Sequence, residues 1–568
     1  MDPFQSFPRH RRSVSSPSGH RGFLRCLSVR VGAGALGLAL LLMPAAASDR
    51  PAASVWVSDN GDGTYTNPIL HADYSDPDVV RVGADFYLTA SSFNCVPALP
   101  ILHSRDLVNW ELIGHALERL VPDEHFRTPR HAEGVWAPCL RYRNGVFYIY
   151  WGDPDFGIYM VKTRDPRGPW DPPVLVKEGR GAGLIDPSPL WDDDGRAYLV
   201  HGIAGSRAGI KSLLVVQEMN PEGTAVIGQP VLVFDGHDGH ETVEGPKFHK
   251  RGDTYYILAP AGGVTHGWQL ALRSKNVFGP YEERVVMHTG STDINGPHQG
   301  GWVELESGES WFVHFQDRGP YGRILHLNPV NWIDGWPIMG VDLDGDGIGE
   351  PVRTHRKPDV GGTFAIVAPP ESDEFTGRRL GLQWQWHANP SPYWAFPRPD
   401  RSQLRLFAAQ LPAGYVSYWS VPHLLLQKFP APAFTATTRF AFKPLRDGES
   451  TGLIVMGRDY ARLFVERTPE GLRIAQAIAQ NADRGGVEQE HGRHAVSGDT
   501  FWFRVRVEAD ASTHFSYSTD GESFKPVGPP FTARQGGWIG AKIGLFCSRT
   551  TKHNDSGHAD FDWFRITR

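Results

Sequence analysis

DPDVVRVGADFYLTAS, residues 76–91, sets the pattern for the chain. An alternating apolar run meets a Gly-Ala-Asp turn and a second run rich in aromatics, the signature of a β-hairpin. The shape returns as APCLRYRNGVFYIYWG (137–152), DPSPLWDDDGRAYLVHG (186–202), GPKFHKRGDTYYILAPAG (245–262) and HQGGWVELESGESWFVHFQ (298–316). In the first four copies a proline precedes the matching tyrosine at near-constant spacing: Pro77–Tyr87, Pro138–Tyr148, Pro187–Tyr198 and Pro246–Tyr256. The fifth copy lacks the proline and matches at Phe312. A period of 50 to 61 residues between the matching aromatics holds a four-stranded sheet and its turns. Five such units predict an all-β, five-bladed β-propeller over residues 56–360, whose radial repetition leaves only short sheet edges. A β-sandwich would repeat less regularly, and a β-helix has shorter rungs.

Composition agrees. The 568 residues include 63 Gly and 45 Pro, against average usage of roughly 7% and 5%. So many breakers exclude a mainly helical protein. The 40% hydrophobic content excludes wholesale disorder. A net charge of -6 with mixed signs argues against a nucleic-acid binder. The aromatics suit a sugar ligand, but the repeat assigns most of them to the spaces between blades. Gly-Gly and Pro-Pro pairs in KPDVGGTFAIVAPPES (357–372) mark a linker. Alternating strands beyond it, such as TATTRFAFKP and TFWFRVRVEA, predict a β-sandwich over residues 371–568.

The first 30 residues carry six arginines and one acid. The apolar run VGAGALGLALLLM (31–43) and then PAAAS follow. This reads as a secretory signal peptide, residues 1–47, too short to span a membrane. The expected location is secreted or periplasmic, with no membrane attachment after cleavage. Cys95, Cys139 and Cys547 would remain, an odd number that rules out a complete disulfide framework. Cys95 and Cys139 either pair or stay as buried thiols. Asp342, Asp344, Asp346 and Gly347 spell the start of a calcium loop, but position twelve is Arg353, so an acidic turn is expected.

Equivalent blade positions converge on a propeller's axis. Asp76 and Asp186 occupy the same place in repeats one and three, each before a proline. Glu244 lies one residue before that place in repeat four; Glu241, three residues earlier, is its rival. A fold has little structural reason to gather three acids, so catalysis is the natural reading.

NPILHADYSDPDVVR, GVWAPCLRYRNGVFYIYWG, LIDPSPLWDDDGRAYLV and TVEGPKFHKRGDTYYI resemble glycoside hydrolase family 43. SSFNCVPALPILHSRDLVNWELIGHAL and the region from DEFTGRRLGLQWQWHANP resemble its two-domain β-xylosidase and α-L-arabinofuranosidase members, whose second domain is a concanavalin-like β-sandwich. The resemblance implies an inverting exo-glycosidase acting on terminal β-D-xylosyl or α-L-arabinofuranosyl residues of xylan and arabinoxylan oligosaccharides. It implies Asp76 as general base, Glu244 as general acid, and Asp186 as the residue that tunes and orients that acid. Inversion would require roughly 6.5–9.5 Å between base and acid carboxyls. Arg323, in YGRILHLNPVNWIDGWP, matches the pocket arginine. Trp136, Phe93 and Asn94 would also bind substrate. His298 opens the fifth repeat and would lie near the axis, approaching a calcium ion through waters; no cofactor is required for the reaction. The competing reading is a noncatalytic carbohydrate-binding propeller. A retaining, fructan-acting propeller enzyme is disfavoured because YSDPDVV replaces its N-D-P-N-G type motif.

Overall fold

The computed structural model describes residues 54–568, so the signal-peptide segment lies outside the described residues. Five four-stranded antiparallel sheets follow one another, and each is a simple meander in chain order. Their innermost strands are Asp78–Val82, Trp136–Arg143, Leu184–Trp191, Lys247–Arg251 and His298–Glu304. Each innermost strand is joined to the next by the Gly/Asp turn seen in the repeat, as in Val82↔Asp85 and Arg251↔Thr254. Two α-helical turns of four residues, Gly205–Ala208 and Gly263–His266, are the only α-helices among the described residues. None of the described helices is long and apolar enough to cross a membrane.

The blades are glued by five separate apolar clusters, each filling the wedge between two neighbours. Trp311 and Phe315 fill the wedge between blades five and one; Tyr198 and Phe248 fill that between three and four. The repeated aromatics therefore serve architecture, each fully buried one contributing about 1.5–3 kcal/mol. The ring is clasped by a short sheet pairing Thr64–Thr66 with Thr354–Arg356. Asn67 locks it by donating to the Leu327 and Val352 carbonyls and accepting from the Leu327 N–H.

Two eight-stranded sheets follow and stack as a concanavalin-like β-sandwich. One contributes Leu453, Val455 and Leu463 to the core, the other Phe440, Phe503 and Phe561. That core also takes in Tyr321 and Ile324 from blade five. The two domains therefore share buried surface and form one compact unit. Cys95, Cys139 and Cys547 are free and buried, so the Cys95–Cys139 pairing left open by the sequence does not form. Asp342, Asp344 and Asp346 are exposed and bind neighbouring backbone N–H groups, as an acidic turn does.

Candidate active site

Every blade opens on a residue with positive φ: Asp76 (53°), Ala137 (23°), Asp186 (56°), Gly245 (59°) and Gln299 (43°). A shift in strand register follows in blades two, three and five. Such a bulge bends the strand and re-aims its side chains. Non-glycine residues in this region cost about 1–3 kcal/mol and collect at functional sites. Glu244, Trp136 and His298 all occupy the place just before the left-handed residue. In blade four that residue is Gly245, and a Cβ there would lie 2.7 Å from Gln299.

The repeat positions border one cavity of about 190 Å³. Asp76, Asp186, Glu244, Arg323, Trp136 and Phe93 stand in its wall. Glu241 is exposed and is not part of that wall. The volume is below the roughly 300–1,000 Å³ of pockets for drug-sized ligands, so the cavity suits one small unit.

Asp76 is 4% exposed and tightly held. Its Oδ2 accepts from Ser75 Oγ at 2.7 Å and Ser91 Oγ at 2.6 Å. Arg323 Nη1 donates to Oδ1 at 3.0 Å and to Ser75 Oγ at 2.6 Å. The Arg323 guanidinium lies between the Phe315 and Trp538 rings, 4.8 and 5.6 Å from their centroids. Asp186 is 5% exposed and accepts from the Gly245 N–H at 2.7 Å. Burial first, and then the neighbouring Glu244 and Asp76, push its carboxyl well above the usual carboxylate range. The Glu244 side chain is 29% exposed, and its Oε1 lies 3.1 Å from His298 Nε2. His298 Nδ1 has no partner, so the tautomer that serves Glu244 carries its proton on Nε2.

The sequence profile of Glycosyl hydrolases family 43 matches residues 65–337, and that of the Beta xylosidase C-terminal Concanavalin A-like domain matches residues 372–567. A Xylanibacter ruminicola protein, provisionally named a β-xylosidase, is 37% identical over 492 residues, 86% of this chain and 86% of its own. The chain belongs to glycosyl hydrolases family 43. A further family relative, the non-reducing end α-L-arabinofuranosidase BoGH43B of Bacteroides ovatus, is 30% identical over 88% of this chain and 94% of its own. Among solved structures, the xylan β-1,4-xylosidase of Bacillus halodurans C-125 superposes with a TM-score of 0.78 at 25% identity. That match covers 89% of this chain and 100% of that one.

In this family 43 chain the second domain enters the site. Trp538, in the sandwich segment GGWIG, stands in the cavity wall with φ 62° and 48% exposure. Its ring lies 6.3 Å from Trp136, which in turn packs edge-on against Phe93 at 6.1 Å. Sequence reading missed Trp538 because nothing local distinguishes it from a surface tryptophan. Gln299, also in the wall, holds the fifth copy of the repeat position, one residue beyond the His298 that the sequence reading placed there. Asn94 needs correcting: it is 1% exposed, donates to the His387 carbonyl at 2.8 Å, and so joins the sandwich instead of lining the cavity. His326 has no partner on either nitrogen; it stacks on His314, and burial holds it well below the usual histidine range.

The raised Asp186 carboxyl has a consequence for stability. Its unfolded value is near 3.9, so the native state binds more protons there as pH climbs past about 4. Stability is then lost with rising pH until the native carboxyl also ionises. Asp186→Asn removes this penalty while its amide oxygen can still accept from Gly245. The variant should melt about 2 °C above the parent at pH 8 and level with it at pH 4, and lose turnover. Melting curves at the two pH values check this; an equal gain at pH 4 would refute the sign.

Proposed function

We propose that this family 43 chain is an inverting exo-glycosidase. It removes terminal β-D-xylosyl or α-L-arabinofuranosyl residues from xylan- and arabinoxylan-derived oligosaccharides. The observation that carries the reading is the meeting of Asp76, Asp186 and Glu244 in one small cavity that Trp538 helps to enclose. A binding module has no use for three gathered acids, whereas glycoside hydrolysis needs a base and an acid on opposite sides of the scissile bond.

In this reading Asp76, its carboxylate held by Ser75, Ser91 and Arg323, takes a proton from the attacking water. Glu244, the most exposed of the three acids, faces the leaving group and delivers a proton to the glycosidic oxygen. His298 orients it through Oε1. Asp186 stands beside it in the cavity wall and tunes and orients that acid. Arg323 and Trp538 supply hydrogen bonds and an apolar face to the sugar. A pocket sized for one unit favours cutting chain ends. No step needs a cofactor. An axial calcium ion would be approached by His298 through waters, because nitrogen suits calcium poorly. Export to the periplasm or outside, supported by the basic and then apolar N-terminal segment, would place the enzyme where such fragments occur.

Aryl β-D-xyloside and aryl α-L-arabinofuranoside, followed by proton NMR, test the proposal. We expect hydrolysis of at least one, with the anomer opposite to the substrate appearing first. Retention of configuration would overturn the role of Asp76 as base, and no hydrolysis of either substrate would overturn the activity.

A further inference from the structure

The Asp73 carboxylate bridges the two domains beside two residues of the cavity wall, Arg323 and Trp538. It is 4% exposed. Its Oδ1 accepts from the Arg323 N–H and its Oδ2 from the Gly540 N–H, each at 2.9 Å. The first donor belongs to blade five and the second to the sandwich, two residues beyond Trp538. The backbones around it are closely packed. A Cβ on Gly322 would lie 2.4 Å from Asp73, and one on Gly540 would lie 2.7 Å from the Gly322 nitrogen.

We propose that Asp73 is a positioning residue: it registers the sandwich loop that carries Trp538 against Arg323, and so sets the shape of the closed pocket. The inference rests on the glycosidase reading above. One carboxylate fixes both ends of the Arg323–Trp538 contact, holding the backbone of the first and the loop of the second. Only a group that accepts on both oxygens can do this; asparagine would turn an NH₂ toward one of the two N–H donors. The neighbouring contacts are ones this register allows. Ala541 N–H donates to the Pro320 carbonyl at 2.7 Å, and Ile539 packs on Phe93 and Cys95. A buried lysine and a half-buried one also face the seam. Lys542 donates to Gln385 Oε1 at 2.7 Å and to Cys95 Sγ at 3.1 Å, and Asp73 offsets the charge of Lys428.

Asp73→Asn is the test, with Gly540→Ala as a second variant that displaces the loop and leaves the carboxylate in place. For an aryl pentoside, each should raise KM about tenfold with kcat within about threefold, the mark of lost binding common to ground and transition states. In a Trp538→Ala background, Asp73→Asn should add less than about twofold, because the two residues act through one contact. Hydrogen exchange over residues 534–541 should quicken in Asp73→Asn. A purely structural aspartate would lower kcat with the folded fraction and leave KM unchanged; that result, or unaltered exchange over 534–541, overturns the proposal. The exchange measurement needs no turnover. A wild-type chain inactive on both aryl pentosides would thus sink the glycosidase reading while exchange still decides the role of Asp73.

Discussion

Asp76→Ala should lower kcat/KM by about 10³–10⁴, the scale expected for a lost general base. The water opposite the leaving group then has nothing to take its proton. The loss is chemical more than structural, because Ser75, Ser91 and Arg323 remain in place around a small hole. That hole gives the prediction a sharper form. Azide is a nucleophile that needs no base, and it fits where a carboxylate has been removed. Added azide should restore release of the leaving group in Asp76→Ala and give a glycosyl azide of inverted configuration. It should do nothing for the parent enzyme. Kinetics on an aryl pentoside with and without azide, and the configuration of the product, make the check. Residual activity above about a tenth of the parent would remove Asp76 from the mechanism.

Glu244→Gln should divide substrates by leaving group. A sugar alkoxide is a poor leaving group and needs the proton, so xylo-oligosaccharide hydrolysis should fall by about 10³–10⁴. A dinitrophenolate leaves unaided, and its release should fall by about tenfold or less. The glutamine keeps an oxygen for His298 Nε2 at the position now 3.1 Å away, so the orientation of the side chain survives. The alkaline limb of the pH profile should flatten for the activated substrate, since no acid remains to be titrated in its transition state. Equal losses on both substrates would mean that Glu244 holds the sugar and does not protonate the leaving group.

The two variants also separate the members of the acid cluster. Asp76 is bound on one side by an arginine and two serines, while Asp186 meets a backbone N–H and other acids. Different neighbours give chemically identical side chains different tasks, and it is this environment that the sequence cannot display.

Much was nonetheless legible in the chain. The recurrence of one hairpin in DPDVVRVGADFYLTAS and its four relatives determines the five blades, because a strand, a Gly/Asp turn and an aromatic strand are local codes. The same recurrence places Asp76 and Asp186 at equivalent points, and with Glu244 it locates the site. Local chemistry also separates the second domain at the Gly-Gly and Pro-Pro linker.

Contacts across the domain seam obeyed no such code. Asn94 reads like a pocket residue beside Phe93, yet its amide reaches the His387 carbonyl of the sandwich. Trp538 reads like a surface tryptophan, yet it completes the pocket beside Arg323, some two hundred residues earlier in the chain. Asp73 reads as one more acid before the repeat, yet it joins Arg323 to Gly540. The sequence by itself determined the blades and the three acids, because periodic local structure carries them to a common axis. Only the tertiary structure decided how the pocket is closed and how the surroundings of the three acids differ, because both depend on burial and on partners that the chain's own spacing does not encode.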